Sequence, residues 1–181
     1  MKKAFVFLAT GFEETEALGT VDVLRRGGID VKIVSITESL IVTGAYGTEV
    51  KADCAFSDAD YSGADALVLP GGMPGSNNLN SYEPLKALLV KQYNSGKLVA
   101  AICAAPIILG GLGFLKGRKA TCYPNFEPAL TGAIITGEAV ETDGNIITGK
   151  GPGLVFDFGL AIVEYLEGKE TKDQVAAGLL L

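Results

Sequence analysis

Cys103 is the side chain in this sequence that is best placed to act as a nucleophile. It follows an apolar run over residues 98–102 that has the length of a strand, and only small residues flank it. Pro106 then begins a short predicted helix, because proline is tolerated in a first helical turn, where the N–H has no intrahelical partner. A tight turn from strand to helix projects its central side chain from the carboxyl edge of a sheet, as in a nucleophile elbow. The helix N-terminus would favour the thiolate, so the sequence predicts a reactive thiol; the alternative is a small buried hydrophobic residue.

An acidic cluster, Glu13, Glu14 and Glu16, is the second group of residues that could take part in chemistry. An ionised carboxylate beside a thiol raises the pKa of the thiol, whereas a protonated carboxyl group that donates a hydrogen bond lowers it. A glutamate that faces Cys103 would therefore act in its neutral form, and the two groups would titrate as a coupled pair. The alternative for each glutamate is a surface acid that complements a helix dipole.

The turn Pro70-Gly71-Gly72 follows the predicted strand 66–69 and could offer backbone N–H groups to a substrate oxygen, as an oxyanion hole does. The alternative is an ordinary surface turn. In open α/β sheets, ligands bind outside the carboxyl ends of the strands. The glutamate loop, the glycine turn and Cys103 all follow predicted strands, so we expect them to meet at that edge.

Alternating strands and helices must position these three segments. Apolar runs predict main strands at residues 4–8, 31–36, 66–69 and 98–102, with a further strand at 119–122. Helical spacing predicts helices that end at Gly27 and Asn94, and two more over 151–168 and 171–179. Two hairpins are predicted, one around residues 44–47 that joins the main sheet and one around 142–145. The order predicts an α/β protein with a mainly parallel sheet.

The composition predicts a compact soluble protein with one domain over residues 1–181. Hydrophobic residues make up 48% and charged residues 20% of the chain. The net charge of −6, with scattered basic residues, excludes a nucleic-acid binder, and no apolar run is long enough to span a bilayer. Three cysteines without a C-x-x-C pair fit the reducing cytoplasm.

The chain contains no histidine. It can therefore form no Ser–His or Cys–His dyad and no histidine-ligated metal site by itself. We predict no metal and no cofactor. Any nucleophile must be activated by other means.

Five motifs in order along the chain resemble the ThiJ/PfpI superfamily, and most of all its branch of protein deglycases. They lie at residues 11–16, 21–28, 67–72, 101–106 and 151–153. The resemblance implies a flavodoxin-like, doubly wound sheet sandwiched by helices, as in class I glutamine amidotransferases, and a homodimer. It also implies that Cys103 is the nucleophile and Glu16 the protonated glutamate beside it. The backbone amides of Gly72 and Ala104 match those that adjoin the sulfur in the family.

Two positions depart from the family pattern. Proteases of the family carry histidine directly after the cysteine, where this chain has Ala104, and the deglycase branch usually has histidine where this chain has Tyr123. A tyrosine can hydrogen-bond a substrate or orient a water, but with an ordinary pKa of about 10 it is a poor base at neutral pH. Cys122, next to Tyr123, is either a second thiol near the pocket or a core residue.

Three functions are compatible with these residues, and the partner is a small-molecule electrophile or a peroxide. The favoured one is a glyoxalase- or deglycase-like enzyme, in which the Cys103 thiolate attacks a small aldehyde such as methylglyoxal or its adduct. The second is an oxidative-stress sensor or protective protein that uses the same thiol. The third is an intracellular cysteine peptidase, which lacks the histidine base that it would need.

Overall fold

The computed structural model describes residues 1–181. Its strands, numbered in chain order, are β1 (Lys3–Leu8), β2 (Asp30–Ser35), β3 (Ile41–Thr43), β4 (Glu49–Lys51), β5 (Cys54–Ala55), β6 (Ala66–Leu69), β7 (Leu98–Ile102), β8 (Lys119–Ala120), β9 (Ile134–Ile135), β10 (Val140–Asp143) and β11 (Ile146–Gly149). Its helices are α1 (Glu14–Arg26), α2 (Gly75–Ser81), α3 (Glu83–Asn94), α4 (Pro106–Gly111), α5 (Val155–Glu167) and α6 (Lys169–Gly178). Single 3-10 turns cover Phe56–Asp58, Glu127–Ala129 and Pro152–Leu154.

A seven-stranded sheet in the order β10-β11-β7-β6-β1-β2-β5 forms the centre of the molecule. All neighbours are parallel except β10 and β11, which pair as the predicted antiparallel hairpin. From β1 the chain continues to β2 and β5 on one side and to β6, β7 and β11 on the other. The predicted doubly wound, mainly parallel α/β architecture is thereby confirmed.

The central strands are apolar throughout because helices cover both faces of the sheet. Along β1, Ala4, Val6 and Leu8 face the core under α1, α5 and α6, whereas Phe5 and Phe7 face the core under α2, α3 and α4. This alternation follows from the two-residue period of a strand. The sheet edge that carries the ends of β1, β6 and β7 is therefore supported by a packed core on each face of the sheet.

Glycines allow α1 and α5 to pack unusually close to each other. A Cβ atom at Gly159 of α5 would lie 2.8 Å from Val23 of α1, and one at Gly27 would lie 2.9 Å from Val163. Real Cβ atoms do not approach other atoms so closely. The glycines thus set the separation of the two helices, although a helical glycine costs about 1 kcal/mol relative to alanine.

Several local predictions need correction. The hairpin β3–β4 forms a sheet of its own instead of joining the main sheet, and β8 pairs with β9 in another small sheet. The predicted strand at 119–122 ends at Ala120, and the turn after β6 leads into α2, which was not predicted. No helix of the structure is both long and apolar enough to cross a membrane.

Candidate active site

Cys103 occupies a strained turn directly after β7. Its φ angle is +64°, a conformation that residues other than glycine rarely adopt and that is typical of a nucleophile elbow. Its backbone N–H donates to the Gly149 carbonyl oxygen at 2.9 Å, and its carbonyl oxygen accepts the Tyr123 N–H at 2.9 Å. These two bonds hold the turn from both sides. The residue is 8% exposed, so its thiol is nearly but not fully buried.

Glu16, in the first turn of α1, brings a fully buried carboxyl group beside the Cys103 thiol. Its Oε2 accepts the Gly71 N–H at 2.8 Å, while its Oε1 has no hydrogen-bond partner. Burial raises the pKa of Glu16 from 4.5 to about 7, although the neighbouring Cys103 thiol and the Gly71 N–H act in the opposite direction. A carboxyl group that titrates near pH 7 can both accept and donate a proton under neutral conditions.

Gly71 joins the start of α1 to the elbow. Its carbonyl oxygen accepts the Glu13 N–H at 2.9 Å, and the Glu13 carboxylate in turn caps α1 by accepting the Glu16 N–H at 2.6 Å. A Cβ atom at Gly71 would lie 2.7 Å from both Cys103 Cβ and Glu16 Oε2. Sequence reasoning singled out Gly72 and missed Gly71, although both belong to the Gly-Gly pair that signalled the turn.

The Gly71→Ala variant is expected to damage the site from within the turn. The added methyl group has no space between Cys103 and Glu16, and overpacking of this kind costs about 1–3 kcal/mol of stability. Urea denaturation measures this loss, and alkylation of Cys103 by iodoacetamide reports the displaced thiol. Gly111→Ala is the matched control, because a Cβ atom there meets nothing within 4 Å. Equal stability of the two variants would contradict the role given to Gly71.

The surroundings of the Cys103 thiol raise its pKa. Burial contributes most, and the charge of an ionised Glu16 adds to the increase. The backbone N–H groups of Gly72 and Ala104 act in the opposite direction and lower the pKa of the thiol, but by less. Burial and Glu16 thus oppose the thiolate that the helix N-terminus is expected to favour.

Cys122 and Tyr123 lie next to each other but have different surroundings. Cys122 is buried in the hydrophobic cluster on the α3 side of the sheet, whereas Cys103 belongs to the cluster on the α1 side. Burial, with a contribution from Glu127, raises the pKa of Cys122 to about 11. Of the two alternatives for Cys122, a pocket thiol or a core residue, its burial favours the core residue. Tyr123 is 45% exposed and its backbone bonds to Cys103, so the structure does place it at the elbow.

Glu14 has a structural task that the sequence did not reveal. Its Oε1 accepts the N–H groups of Tyr46 at 2.8 Å and Thr48 at 3.3 Å, both in or beside the β3–β4 turn. The three glutamates therefore differ in role: Glu13 caps α1, Glu14 holds the hairpin, and Glu16 adjoins the thiol. No group of three or more His, Cys, Asp or Glu side chains is arranged to hold a metal ion.

Comparison with known proteins matches this arrangement to one family. A family model described as the DJ-1/PfpI family matches residues 2–165. DJ-1 homolog B from Arabidopsis thaliana is 41% identical over 182 residues, which cover 99% of this chain and 42% of that protein. The chain thus spans less than half the length of this relative.

Two further relatives match over most of their length. A Caenorhabditis elegans protein named glutathione-independent glyoxalase DJR-1.2 is 37% identical over 172 residues, covering 93% of this chain and 90% of that protein. The crystal structure of a mutant of a DJ-1 superfamily protein from Salmonella typhimurium has a TM-score of 0.94 and 38% identity, and covers 99% of this chain and 98% of that one. The family resemblance seen in the five motifs is confirmed, and this chain belongs to the DJ-1/PfpI family.

Proposed function

We propose that the protein is a cysteine-dependent enzyme that acts on small reactive aldehydes such as methylglyoxal, or on their adducts. The observation that carries this proposal is the Cys103 thiol at a strained elbow beside the buried Glu16, whose pKa is about 7. A nucleophile paired with a base of near-neutral pKa is the arrangement that carbonyl addition needs at neutral pH. The name of the Caenorhabditis elegans relative, a glyoxalase independent of glutathione, supports the same chemistry.

In the first step, ionised Glu16 accepts the thiol proton while the Cys103 sulfur bonds to the aldehyde carbon. The electron pair of the C=O π bond moves to oxygen, and we assign the stabilisation of this oxyanion to the N–H groups of Gly72 and Ala104, which act on the sulfur. Glu16 then returns its proton to that oxygen and a hemithioacetal results. Transfer of the proton to Glu16 also removes the repulsion that raises the thiol pKa, so the two events assist each other.

In the second step, the hemithioacetal isomerises and is hydrolysed. Glu16 removes the proton from the former aldehyde carbon while the neighbouring ketone oxygen takes up a proton, which gives an enediol. The hydroxyl group on the former aldehyde carbon then loses its proton, the neighbouring carbon gains one, and a thioester of a 2-hydroxy acid results. Water then adds to the thioester, the C–S bond breaks, and the sulfur recovers its proton. The sum is a 2-oxoaldehyde plus water giving a 2-hydroxy acid, with no external oxidant or reductant.

The test is incubation of the protein with methylglyoxal in the absence of glutathione. Proton NMR follows the loss of the aldehyde and the appearance of lactate. Formation of lactate at a rate proportional to protein concentration is the expected result. If the aldehyde disappears only into protein adducts and no lactate forms, the proposed enzyme activity is refuted.

A second candidate, a peroxide sensor, draws on a different feature of the site. Glu16 is the one side chain that shifts the pKa of the Cys103 thiol. Oxidation of the thiol, unlike hydrolysis of a thioester, needs no base to activate a water molecule. The sulfur would attack a peroxide oxygen, the O–O bond would break, and a sulfenic acid and water would form. Mass spectrometry after peroxide treatment tests this, because oxidation confined to Cys103 is expected.

The peptidase function finds no support, since Ala104 stands where the histidine base would be.

We further propose that the protein is a cytoplasmic homodimer. The cytoplasm keeps thiols reduced, which suits three free cysteines. Leu18 and Phe156 are each 40% exposed and flank the close contact of Gly19 with Val155 between α1 and α5. Apolar side chains exposed on adjoining helices suit a contact between copies. Sedimentation velocity is expected to give twice the monomer mass, and Leu18→Glu is expected to shift the distribution to monomer.

A further inference from the structure

The backbone of Tyr123 adjoins the candidate nucleophile, and its side chain carries exposed aromatic surface. Its backbone N–H bonds to the Cys103 carbonyl oxygen at 2.9 Å, which fixes its position beside the elbow. The preceding residue, Cys122, points into the core, yet the Tyr123 side chain is 45% exposed. The ring therefore does more than fill the core, and its exposed part is open to contact with a ligand.

The Tyr123 ring is supported by neighbours on two segments. A Cβ atom at Gly151 would lie 3.3 Å from its Cδ2 atom, so the ring lies against that glycine. Gly151 is two residues beyond Gly149, whose carbonyl oxygen holds the Cys103 N–H. Phe126 meets the ring edge to face, with centroids 6.4 Å apart and planes at 71°. The ring is therefore supported by Gly151, in the segment that holds the Cys103 N–H, and by Phe126 in its own segment, and it keeps free aromatic surface.

We infer that Tyr123 is a specificity-determining residue that recognises a planar, aromatic substituent on the electrophile that reacts with Cys103. The substrate class that it favours is arylglyoxals, with phenylglyoxal preferred over methylglyoxal. Aromatic rings attract each other beyond the burial of their area, in stacked or edge-to-face geometry. The inference deepens the proposed function and rests on it only in that the electrophile must reach Cys103.

The first test measures recognition without turnover. Wild-type protein is alkylated with iodoacetamide or with its N-phenyl analogue, iodoacetanilide, and labelling of the Cys103 peptide is timed by mass spectrometry. In both reactions the sulfur bonds to the CH2 carbon and iodide leaves, so the reagents differ only in the ring. The ratio of the two rates is expected to fall about five-fold in Tyr123→Ala. Tyr123→Phe is expected to retain the ratio, because it keeps the ring.

Two further variants separate recognition from damage to the fold. Tyr165, which is 41% exposed on α5, supplies the matched control, and Tyr165→Ala is expected to leave the ratio unchanged. Tyr123→Leu keeps apolar bulk without an aromatic face and is expected to behave like Tyr123→Ala. If Tyr123→Ala and Tyr123→Leu keep the wild-type ratio, or if Tyr165→Ala lowers it equally, the inference is overturned.

The second test compares kcat/KM for phenylglyoxal and methylglyoxal in the same variants. A preference for phenylglyoxal that falls about five-fold in Tyr123→Ala supports the inference. If neither aldehyde is turned over while the alkylation ratio still depends on Tyr123, the proposed enzyme function fails and the recognition role stands. If both aldehydes are turned over and neither ratio depends on Tyr123, the recognition role fails alone.

Discussion

The Glu16→Gln variant is expected to lose about 10²- to 10⁴-fold in kcat/KM for methylglyoxal, the range typical of a general acid–base residue. Glutamine retains an oxygen that can accept the Gly71 N–H, but it cannot take the thiol proton or return it. In the wild-type protein, kcat/KM should rise with pH through about 7, because Glu16 must be ionised to act as the base. This rise should be absent from the variant. Steady-state kinetics between pH 5.5 and 8.5, roughly the span around that pKa, measure both effects.

Two variants complete this experiment. Cys103→Ser is expected to show no turnover, because a serine hydroxyl is far too weak an acid for a base with a pKa near 7 to activate. Glu14→Gln is the matched control, since Glu14 lies on the same turn of α1 and its oxygen serves the hairpin instead of the thiol. A loss in Glu14→Gln as large as that in Glu16→Gln would show that the effect comes from general disturbance of α1.

The stability of the wild-type protein is expected to fall as pH rises from about 5 to 8, whereas that of Glu16→Gln should not show this fall. Burial raises the Glu16 pKa from 4.5 to about 7, so the folded state binds more protons than the unfolded state within this window. The favourable contribution is complete below pH 4.5 and is lost as pH passes through 7. Each pKa unit corresponds to about 1.4 kcal/mol, which makes the total about 3 kcal/mol.

Urea denaturation of both proteins at a series of pH values tests this expectation. The difference between their free energies of unfolding isolates Glu16, since the other titrating groups contribute equally to both. Curves that stay parallel from pH 5 to pH 8, the window set by the Glu16 pKa, would mean that the carboxyl group is not perturbed in the folded state.

The elbow and the meeting of three loops could be predicted because they depend on local patterns. An apolar strand that ends at a cysteine among small residues, followed by proline, allows few other structures. The β3–β4 hairpin was predicted, but its turn is held by Glu14, which is distant from it in sequence, and local patterns do not reveal such a contact. The orientation of Cys122 could not be predicted because it follows the end of β8, and a strand of two residues leaves little hydrophobic pattern in the sequence.

The direction of the Cys103 pKa could not be predicted because opposing effects act on the same atom. The sequence shows a helix start next to the sulfur, but it does not show how many atoms surround the thiol. Tertiary packing decides that burial outweighs the N–H groups of Gly72 and Ala104. The sequence likewise does not show that the Gly71 N–H bonds to the Glu16 carboxyl group whereas the Gly72 N–H acts on the Cys103 sulfur.

The close packing of α1 on α5 affects how far the site must rearrange during proton transfer. Because Gly159 and Gly27 leave no gap between α1 and α5, we expect α1 to keep its position when the Glu16 carboxyl group ionises. A mobile carboxylate would relax into solvent, and it would have to be dehydrated again before each proton transfer. Because Glu16 is held in place, the donor and acceptor atoms keep nearly the same positions in both charge states. We therefore expect a contact at the C-terminal end of α1 to keep the reorganisation energy small for a proton transfer at its N-terminal end.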